Sequence, residues 1–384
     1  MSAPLTVGLD GTVYGWTSPG GVARTYKEIM PRICELDHAL TFDLFMDGPI
    51  AGGRPAAPGV RVRRCRQLHR CLRPRRLLGR FREAARSVSF GLSVRESSCD
   101  VWHATYFAVP TACRIPLVVS NYDMVFSLFP HLYARRREDA AFRRRQRRAL
   151  LRADHVIVNS ETTKADTVRL VDVDPERITA IPLACSSAFH QLPLDAGVPS
   201  SSPLVHVVAE GRPFVLYVGG RHPHKNFAGL ATAFAHWKQD DFLLIIVGPR
   251  LDGRERDDLA RLGILERVRL FSDLSDDDLA ILYNEAGVFV YPSLYEGFGV
   301  PLVEAMACAC PVVASRIPSS VEVAGGVAAF FDLEDPTSLV AAMERAVVRG
   351  REPLWVDAAL ARAATFSWDE CARKTLDVYR QVTS

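Results

Sequence analysis

Several features that assign a chain to a common class are absent from this sequence. No uninterrupted apolar stretch reaches about 18 residues, so the sequence predicts no membrane-spanning helix. Its first residues contain no basic stretch followed by an apolar core, so we expect no secretory signal. The nine cysteines are scattered without a Cys-x-x-Cys pair, which favours free thiols in a reducing compartment. We therefore expect a soluble cytoplasmic protein.

The charge is nearly balanced but unevenly placed. The net charge of +3 alone indicates no nucleic-acid partner. Arginines crowd residues 54–95 and again residues 135–148, both in the first half. These runs are compatible with a solvated helix face, or with a surface for anionic lipid head groups or a phosphate-bearing substrate. Nucleic acid is the weaker alternative, because no basic motif studded with aromatic residues accompanies the arginines.

Short apolar runs rich in β-branched residues alternate with helical patterns, which predicts parallel sheets covered by helices. In the first half we predict strands at residues 5–11, 40–48, 99–105, 116–123 and 153–160. In the second half we predict strands at residues 214–220, 242–249, 288–293 and 310–315. Between the two series lies a stretch rich in Pro, Gly and Ser, residues 192–213, which predicts an interdomain linker.

Helix starts and a final helix are also predicted. Ser160 and Ser275 each precede a helical pattern, and acids follow Ser275 directly, as is typical of N-caps. The stretch 19–36 opens with glycines and continues with apolar residues at helical spacing. Residues 366–382 form a last helical pattern that has no strand of its own.

The first candidate site is the stretch "VGGRHPHKNF", residues 218–227. Two glycines end a strand there, Arg221 and Lys225 follow, and a helix begins near Asn226. Glycines let a ligand approach the backbone. The start of a helix offers N–H groups without partners and the positive end of the helix dipole. Arginine and lysine add full charges, so the stretch suits a diphosphate. A basic surface turn is the alternative for this stretch taken alone.

A metal site is not predicted at this stretch. His222 and His224 are candidate ligands, but Pro223 separates them and no carboxylate partners accompany them.

The second candidate site is "YPSLYEGFGVPLVEAMACACPVVAS", residues 291–315. A strand and a helix flank the loop "LYEGFG", so Glu296 lies in the loop and Glu304 is expected in about the first turn of the helix. Gly297 and Gly299 expose backbone N–H groups to a ligand. For the two acids in isolation, the alternatives are a solvated loop charge and a residue that stabilises the helix dipole.

A third, weaker candidate lies in the first half. Gly20 and Gly21 precede a helix, a geometry that tolerates anions. The stretch "VNSETTK", residues 158–164, is a further strand-to-helix turn. Such turns are common without any ligand, so neither is specific.

Together these stretches resemble the donor domain of retaining glycosyltransferases of family four, which have the GT-B fold. The glycine strand end, the Lys-Asn pair and two glutamates separated by seven residues around Gly-Phe-Gly occur in the family's order. Weaker similarity covers nearly the whole chain. The resemblance implies an α/β protein of two Rossmann-like, doubly wound domains that face each other across a cleft.

The resemblance also implies the domain boundaries. We expect an acceptor-binding domain over residues 1–195 and a donor-binding domain over residues 205–365. The C-terminal helix, about residues 366–384, is expected to pack back onto the first domain.

Roles for the acidic loop follow from the resemblance. Glu304 matches the family's glutamate that accepts hydrogen bonds from the ribose of the nucleotide, and Glu296 matches the one that faces the donor hexose. Backbone N–H groups of Phe298, Gly299 and Val300 are implied to hold sugar hydroxyls. Base contacts in this fold come largely from backbone, here near Gly248 and residues 272–274.

The resemblance assigns the leaving group to the basic stretch. Arg221 and Lys225, beside Gly219 at the strand end, would neutralise the diphosphate, and the Gly20–Gly21 loop would close over the donor. Because these cations and the helix dipole stabilise the leaving group, no metal or other cofactor is implied. The resemblance also implies that the anomeric configuration is retained, and no protein nucleophile is evident in the sequence. Arg221, Lys225 and Glu296 are the expected catalytic residues.

This chain departs from the family pattern at three positions. Many members carry His-Asp where Tyr122-Asp123 stands, and that histidine usually touches the donor sugar. Tyr122 is a substitute contact, or His103 approaches instead, so these residues are expected sugar or acceptor contacts. Ala309 stands where the helix is usually followed by Gly. Val321 replaces a usual proline.

The expected function is transfer of a hexose from a nucleotide sugar to a lipid-linked or polysaccharide acceptor in surface-glycan biosynthesis. Mannose from GDP-mannose is favoured among donors because close relatives often use it. The expected partners are the nucleotide sugar, the acceptor and an anionic membrane at its inner face, without nucleic acid. The alternatives are a phosphorylase or epimerase on the same fold, and a non-catalytic nucleotide-sugar-binding subunit, which Tyr122 favours.

Overall fold

A computed structural model describes residues 4–15, 21–46, 57–65, 88, 90–110, 114–133, 137–193 and 197–384. The chain divides into two compact units. The first unit comprises Met1–Leu128, Tyr133–Leu183 and Trp368–Ser384, and the second comprises Phe129–Leu132 and Ala184–Ser367.

The described part of the first unit contains seven parallel strands in one sheet, in the order β3-β2-β1-β4-β5-β6-β7. The strands are β1 (Leu5–Asp10), β2 (Leu40–Met46), β3 (Val60–Arg64), β4 (Val101–Ala104), β5 (Leu117–Asn121), β6 (His155–Val158) and β7 (Ile178–Ala180). Val7 pairs with Phe42 on one side and with Val101 on the other. The strand order reverses between β1 and β4, as in a doubly wound sheet.

The second unit contains six parallel strands among its described residues, in the order β10-β9-β8-β11-β12-β13. The strands are β8 (Phe214–Val218), β9 (Leu243–Val247), β10 (Val268–Phe271), β11 (Val288–Tyr291), β12 (Val312–Ser315) and β13 (Ala329–Phe331). Its central strands are nearly continuous apolar runs because both faces of the sheet are covered by helices. The predicted fold class, two Rossmann-like doubly wound domains, is confirmed.

Helices lie between many of these strands in the described ranges and follow the last one. In chain order they are α1 (Gly21–Leu36), α2 (Val125–Leu128), α3 (Pro130–Tyr133), α4 (Arg137–Arg152), α5 (Glu161–Val171), α6 (Val205–Ala209), α7 (Phe227–His236), α8 (Gly253–Arg261), α9 (Asp276–Glu285), α10 (Val300–Ala307), α11 (Pro318–Ala324), α12 (Pro336–Arg349), α13 (Pro353–Ala364) and α14 (Trp368–Thr383).

Both predicted N-caps are confirmed. Ser160 has extended backbone angles and accepts a hydrogen bond from the backbone N–H of Thr163 at 2.9 Å. Ser275 accepts one from the backbone N–H of Asp278 at 3.1 Å. Each cap satisfies an N–H group that the helix itself leaves without a partner.

The strands that the sequence pattern did not predict, β3, β7, β10 and β13, are those at the sheet edges. Edge strands bury less surface, so their sequences lack a continuous apolar run. β3 reads Val-Arg-Val-Arg-Arg, and two of its arginines pair with the buried carboxylate of Asp43. Arg61 Nε lies 2.7 Å and Arg63 Nε 3.2 Å from that carboxylate.

The last helix, α14, belongs to the first unit and packs along α1. Trp368, Leu376 and Tyr379 are buried on its inner face. Ion pairs flank the contact: Arg32 Nε lies 2.9 Å from Asp369, and Arg380 Nη2 lies 3.1 Å from Asp37. The chain therefore returns to its first sheet after completing the second.

Other predictions on composition have definite outcomes. None of the helices in the described ranges is long and apolar enough to cross a membrane. The described cysteines, Cys308 and Cys310 among them, form no disulfide. Most of the arginine-rich stretch 54–95 lies outside the described residues, whereas the second basic run falls largely within α4.

Candidate functional site

The strand order of the second unit reverses between β8 and β11, which are neighbours in its sheet. In open α/β sheets, ligands bind outside the carboxyl ends of strands at such a reversal. The loops that follow these two strands, residues 219–226 and 292–299, are called here the switch-point loops. They are the two stretches that the sequence singled out, and the fold brings them side by side.

Hydrogen bonds and an ion pair join the switch-point loops. The backbone N–H of Leu294 donates to the carbonyl of His224 at 2.7 Å. The side-chain amide of Asn226 donates to the carbonyl of Pro292 at 3.1 Å. Lys225 Nζ lies 2.7 Å from Glu296 Oε1. A cation from one motif and a carboxylate from the other therefore meet directly.

Glu296 is ionised in this setting. Burial opposes its charge, but the neighbouring Lys225 cation and hydrogen bonds from Lys225 and Ser293 outweigh burial and hold the pKa of the Glu296 carboxyl below its ordinary value. Ser293 Oγ also donates to Glu296 Oε1 at 2.6 Å. The carboxylate is thus a hydrogen-bond acceptor at neutral pH, which suits it to hydroxyl donors and not to general-acid chemistry.

Arg221 is largely buried, with 5% of its side chain exposed. Its Nε donates to Glu255 Oε1 at 2.8 Å, and its Nη2 donates to Glu255 Oε2 at 3.0 Å and to the carbonyl of Arg250 at 2.8 Å. Nη1 is buried without a hydrogen-bond partner in the described structure. Sequence reasoning assigned the charge of Arg221 to a diphosphate; in the structure Nε and Nη2 are committed to Glu255 and the carbonyl of Arg250, and Nη1 alone has no partner among the described residues.

Two glycines let backbone segments come close together beside this arginine. Gly219 has φ +135°, which side chains other than glycine rarely adopt. A Cβ on Gly248 would lie 2.4 Å from the carbonyl oxygen of Gly219. A Cβ on Gly219 would meet nothing within 4 Å, so the backbone at the end of β8 is open to close approach by a ligand, whereas the two loops already touch at Gly248.

The start of α10 is also glycine-controlled. Gly299 is its N-cap, with φ +118°, and no side chain caps the helix there. Phe298 is buried and packs edge-on against Phe366, with ring centroids 5.5 Å apart. Phe298, Gly299 and Val300 thus form the turn whose backbone N–H groups the resemblance assigns to sugar hydroxyls.

Glu304 lies deeper in α10 than expected. It is the fifth residue, and no acid occupies the first turn, so the alternative role of stabilising the helix dipole is wrong. Its side chain is 4% exposed, and Tyr283 Oη donates to Glu304 Oε2 at 3.1 Å. The carboxylate is therefore oriented by a tyrosine from the neighbouring helix α9.

The two histidines of the basic stretch stack on each other, with ring centroids 6.0 Å apart and planes 5° apart. Burial lowers the pKa of His224 to about 4, so its ring is neutral near pH 7. In the described ranges, no group of three or more His, Cys, Asp or Glu side chains is arranged to hold a metal ion.

In the first unit, the candidate residues have different surroundings. Gly20 lies outside the described residues. Gly21 is the first residue of α1, and a Cβ there would meet nothing within 4 Å. Asp123 Oδ1 accepts a hydrogen bond from the backbone N–H of Val125, the first residue of α2, at 3.0 Å.

His103 lies at the end of β4 and is 1% exposed. Its Nε2 is 2.9 Å from Ser120 Oγ, and its Nδ1 is 2.7 Å from Tyr379 Oη. Burial lowers the pKa of His103 to about 3, so the ring is neutral. Tyr122 is half-buried and lines a small cavity together with His103 and Asn159.

Two family models match the chain and together span most of it. "Glycosyltransferase Family 4" matches residues 19–186, and "Glycosyl transferases group 1" matches residues 203–352. The chain belongs to glycosyltransferase family 4. Within this family, the second model covers both switch-point loops and Glu304.

Several curated relatives of this family member are named as mannosyltransferases, and others as D-inositol 3-phosphate glycosyltransferases. O-antigen chain mannosyltransferase B of Escherichia coli is 32% identical over 243 residues, which are 59% of this chain and 60% of that protein. Serotype-specific mannosyltransferase WbdA of Escherichia coli is 27% identical over 239 residues, which are 60% of this chain and 29% of that protein. The chain thus spans less than two thirds of the length of the curated relatives it matches.

Solved structures of similar fold cover the family member almost completely. Sucrose-phosphate synthase from Thermosynechococcus elongatus has a TM-score of 0.77 and 21% identity, and the match covers 98% of both chains. HepE of Anabaena in complex with UDP-glucose has a TM-score of 0.71 and 17% identity, covering 98% of this chain and 100% of that one. These likenesses establish the fold.

Sequence reasoning missed two residues that hold the site's charged groups, Glu255 and Tyr283. Glu255 stands three positions after Asp252, and each side chain bonds the other's backbone N–H in a capping box at the start of α8. That spacing is visible in the sequence and predicts the helix start. Nothing in the sequence predicts that the same carboxylate also binds Arg221.

Proposed function

We propose that this chain is a retaining glycosyltransferase that moves a hexose from a nucleotide sugar to a hydroxyl of a glycan acceptor. The pair formed by Lys225 and Glu296, 2.7 Å apart, carries this proposal. In a nucleotide sugar the hexose adjoins the diphosphate. The Lys225 cation suits the phosphate, and the adjacent Glu296 carboxylate suits the hexose hydroxyls, so the pair matches the layout of a nucleotide sugar.

The reaction needs leaving-group stabilisation more than a nucleophile. The bond from the anomeric carbon to the phosphate oxygen breaks while the acceptor oxygen bonds to that carbon from the same face, and the acceptor proton passes to the departing phosphate. Lys225 and Arg221 stabilise the charge that develops on the diphosphate. Glu296 holds the hexose, and Glu304 holds the ribose hydroxyls.

We propose that the enzyme works without a metal ion or other cofactor. Lys225 and the free nitrogen of Arg221 supply the positive charge at the switch-point loops. Full transfer after exhaustive EDTA treatment is the expected result. Activity that is lost with EDTA and restored by a divalent cation would refute this part.

The donor is proposed to be GDP-mannose and the acceptor a lipid-linked or polysaccharide glycan of the cell surface. The names of the mannosyltransferase relatives support the sugar. The complex of HepE with UDP-glucose makes UDP-glucose the second donor to test. A panel of nucleotide sugars in a thermal-shift assay separates these donors, since the one that binds raises the melting temperature.

Replacement of Lys225 or Glu304 by Ala tests the site in a transfer assay that also reads the anomer of the product by NMR. We expect a loss of about 10²-fold or more for Lys225→Ala, because the charge on the leaving group is no longer stabilised. Lys238→Ala, at an exposed lysine of the same unit, is the matched control. Full activity of both site variants, or an inverted product, would contradict the proposal.

The alternative functions predict different assay results. A phosphorylase or epimerase would exchange isotope into phosphate or interconvert sugars without forming a transfer product. A non-catalytic subunit, favoured by tyrosine at position 122, would bind a nucleotide sugar without turning it over.

We further propose peripheral contact with an anionic membrane through α4. Its exposed side chains recur at helical spacing on one face, and they are Arg144, Arg147, Arg148, Leu151 and Arg152. Arginines beside an exposed leucine suit acidic lipid head groups. We expect co-sedimentation with phosphatidylglycerol vesicles at low salt, weakened by Arg144→Ser with Arg148→Ser. Equal recovery with neutral vesicles would contradict this contact.

A further inference from the structure

The guanidinium of Arg221 is fixed by the carboxylate of Glu255 in a two-point contact. The contacts run from Nε to Oε1 at 2.8 Å and from Nη2 to Oε2 at 3.0 Å. Such a fork restrains the plane of the guanidinium as well as its position. The carbonyl of Arg250, at 2.8 Å from Nη2, adds a third restraint.

Glu255 is itself held in place by the start of α8. The backbone N–H of Asp252 donates to Glu255 Oε2 at 2.9 Å, and the backbone N–H of Glu255 donates to Asp252 Oδ1 at 2.8 Å. This capping box restrains the Glu255 carboxylate independently of its contact with Arg221. The loop after β9 and the loop after β8 are thereby joined through one side chain.

The restraints leave one nitrogen of the guanidinium for a ligand. Nη1 is buried without a partner, and a Cβ on Gly248 would lie 3.6 Å from it. A buried charged N–H without an acceptor is costly, and an anionic oxygen would relieve that cost. Beside Nη1, Gly248 packs against the carbonyl of Gly219, and open space lies at Gly219 itself, where a Cβ would meet nothing within 4 Å.

We infer that Glu255 is a positioning residue that aims Nη1 of Arg221 at a phosphate oxygen of the donor. This inference rests on the proposed function of the site. Glu255 cancels the charge of Arg221, so it does not help to attract an anion. Its contribution is orientation, which makes its effect distinguishable from that of charge alone.

The test is titration calorimetry of the whole chain with GDP and with UDP, on the wild type, Glu255→Gln and Glu255→Asp. Loss of orientation should weaken binding of the preferred nucleotide about tenfold in both variants. A pure charge effect predicts tighter binding for Glu255→Gln and wild-type binding for Glu255→Asp. Either of those results would overturn the inference.

A double-mutant cycle with Arg221→Lys measures how strongly the two side chains are coupled in nucleotide binding. A purely structural role of Glu255 would give no such coupling. Lysine has no planar fork, so Glu255→Gln should cause no further loss in that background. Additive losses would overturn the inference even if one single variant folds poorly. Glu210→Gln is the matched control, since Glu210 makes a similar fork with Arg269 at 3.2 Å in the same unit.

Wild-type binding separates the inference from its premise. If the wild type binds neither nucleotide, the proposed function and the inference are both overturned. If the wild type binds and Glu255→Gln binds equally well, the inference alone is overturned.

Discussion

A buried carboxylate is useful for ligand binding only if its orientation is fixed. Glu304 meets this condition because Tyr283 Oη donates to it at 3.1 Å from α9. Burial and the neighbouring Glu304 carboxylate raise the pKa of Tyr283 well above its ordinary value, so the hydroxyl keeps its proton. Tyr283 therefore holds the Glu304 carboxylate in one orientation through Oε2.

Replacement of Tyr283 by Phe tests this arrangement. The ring packing against Phe289 and Phe189 is retained, while the hydrogen bond is lost. We expect nucleotide affinity to fall by about 1 kcal/mol, or roughly fivefold. Calorimetric titration measures it, and an unchanged affinity with an unchanged melting temperature would contradict the role of Tyr283.

Acid sensitivity is a second prediction at the level of residues. The folded chain keeps His103 neutral down to its pKa of about 3, whereas in the unfolded chain the ring takes up a proton below about pH 6.5. The unfolded state therefore binds more protons between these values, and stability falls as the pH falls below 6.5. By pH 5 the cost of keeping His103 neutral is about 2 kcal/mol.

The variant His103→Gln removes the contribution of His103 to the loss of stability at low pH. The difference in unfolding temperature between pH 7.5 and pH 5 should shrink relative to the wild type. The pKa values of His155 and His224 are also lowered by burial, so part of the difference remains. An identical pH dependence in wild type and variant would be incompatible with a buried neutral His103.

The sequence placed the charged residues of the site at strand ends, but it did not predict which of them touch. The gap between Lys225 and Glu296 in the chain is too long for spacing to report a contact. Their ion pair exists because β8 and β11 are neighbours, which is a property of the sheet. The fork from Arg221 to Glu255 likewise depends on the order of β8 and β9.

At the level of elements, the central strands were predictable and the edge strands were not. β9 and β11 are apolar runs that the sheet buries on both faces. β10, at the edge, is only partly buried along its whole length, so its sequence carries a weaker pattern. α8 was missed because its sequence is highly charged, although its capping box marks the start.

The loops after β8 and β9 approach closely at Gly219 and Gly248, and this contact gives a prediction at the level of elements. A Cβ in Gly248→Ala would lie 2.4 Å from the backbone oxygen of Gly219, which cannot turn away as a side chain can. We expect a loss of about 1–3 kcal/mol in unfolding free energy and weaker nucleotide binding. Both are measured on the same sample by denaturant unfolding and titration.

Gly253→Ala is the matched control for this prediction. Gly253 is the first residue of α8, and a Cβ there would meet nothing within 4 Å. Alanine in a compatible conformation stabilises by about 0.4–1 kcal/mol. If Gly248→Ala behaves like this control, the close backbone approach is wrong.

At the scale of the whole molecule, the described chain builds two sheets whose strand order agrees over six strands, and it then returns to the first unit through α14. The sequence indicated this class through its repeated strand–helix rhythm and its family motifs. Membership of glycosyltransferase family 4 follows from family models that match both halves. The proposed donor site lies in the second unit, which contains Arg221, Lys225, Glu296 and Glu304.

The central claim is that the switch-point loops of the second unit bind a sugar nucleotide through Lys225. Titration of the wild type, Lys225→Ala and Lys238→Ala with GDP-mannose and UDP-glucose tests it most directly. We predict that one of these donors binds the wild type and Lys238→Ala alike, and binds Lys225→Ala about 10²-fold more weakly. Equal affinity of Lys225→Ala and the wild type, or no binding of either donor, would contradict the claim.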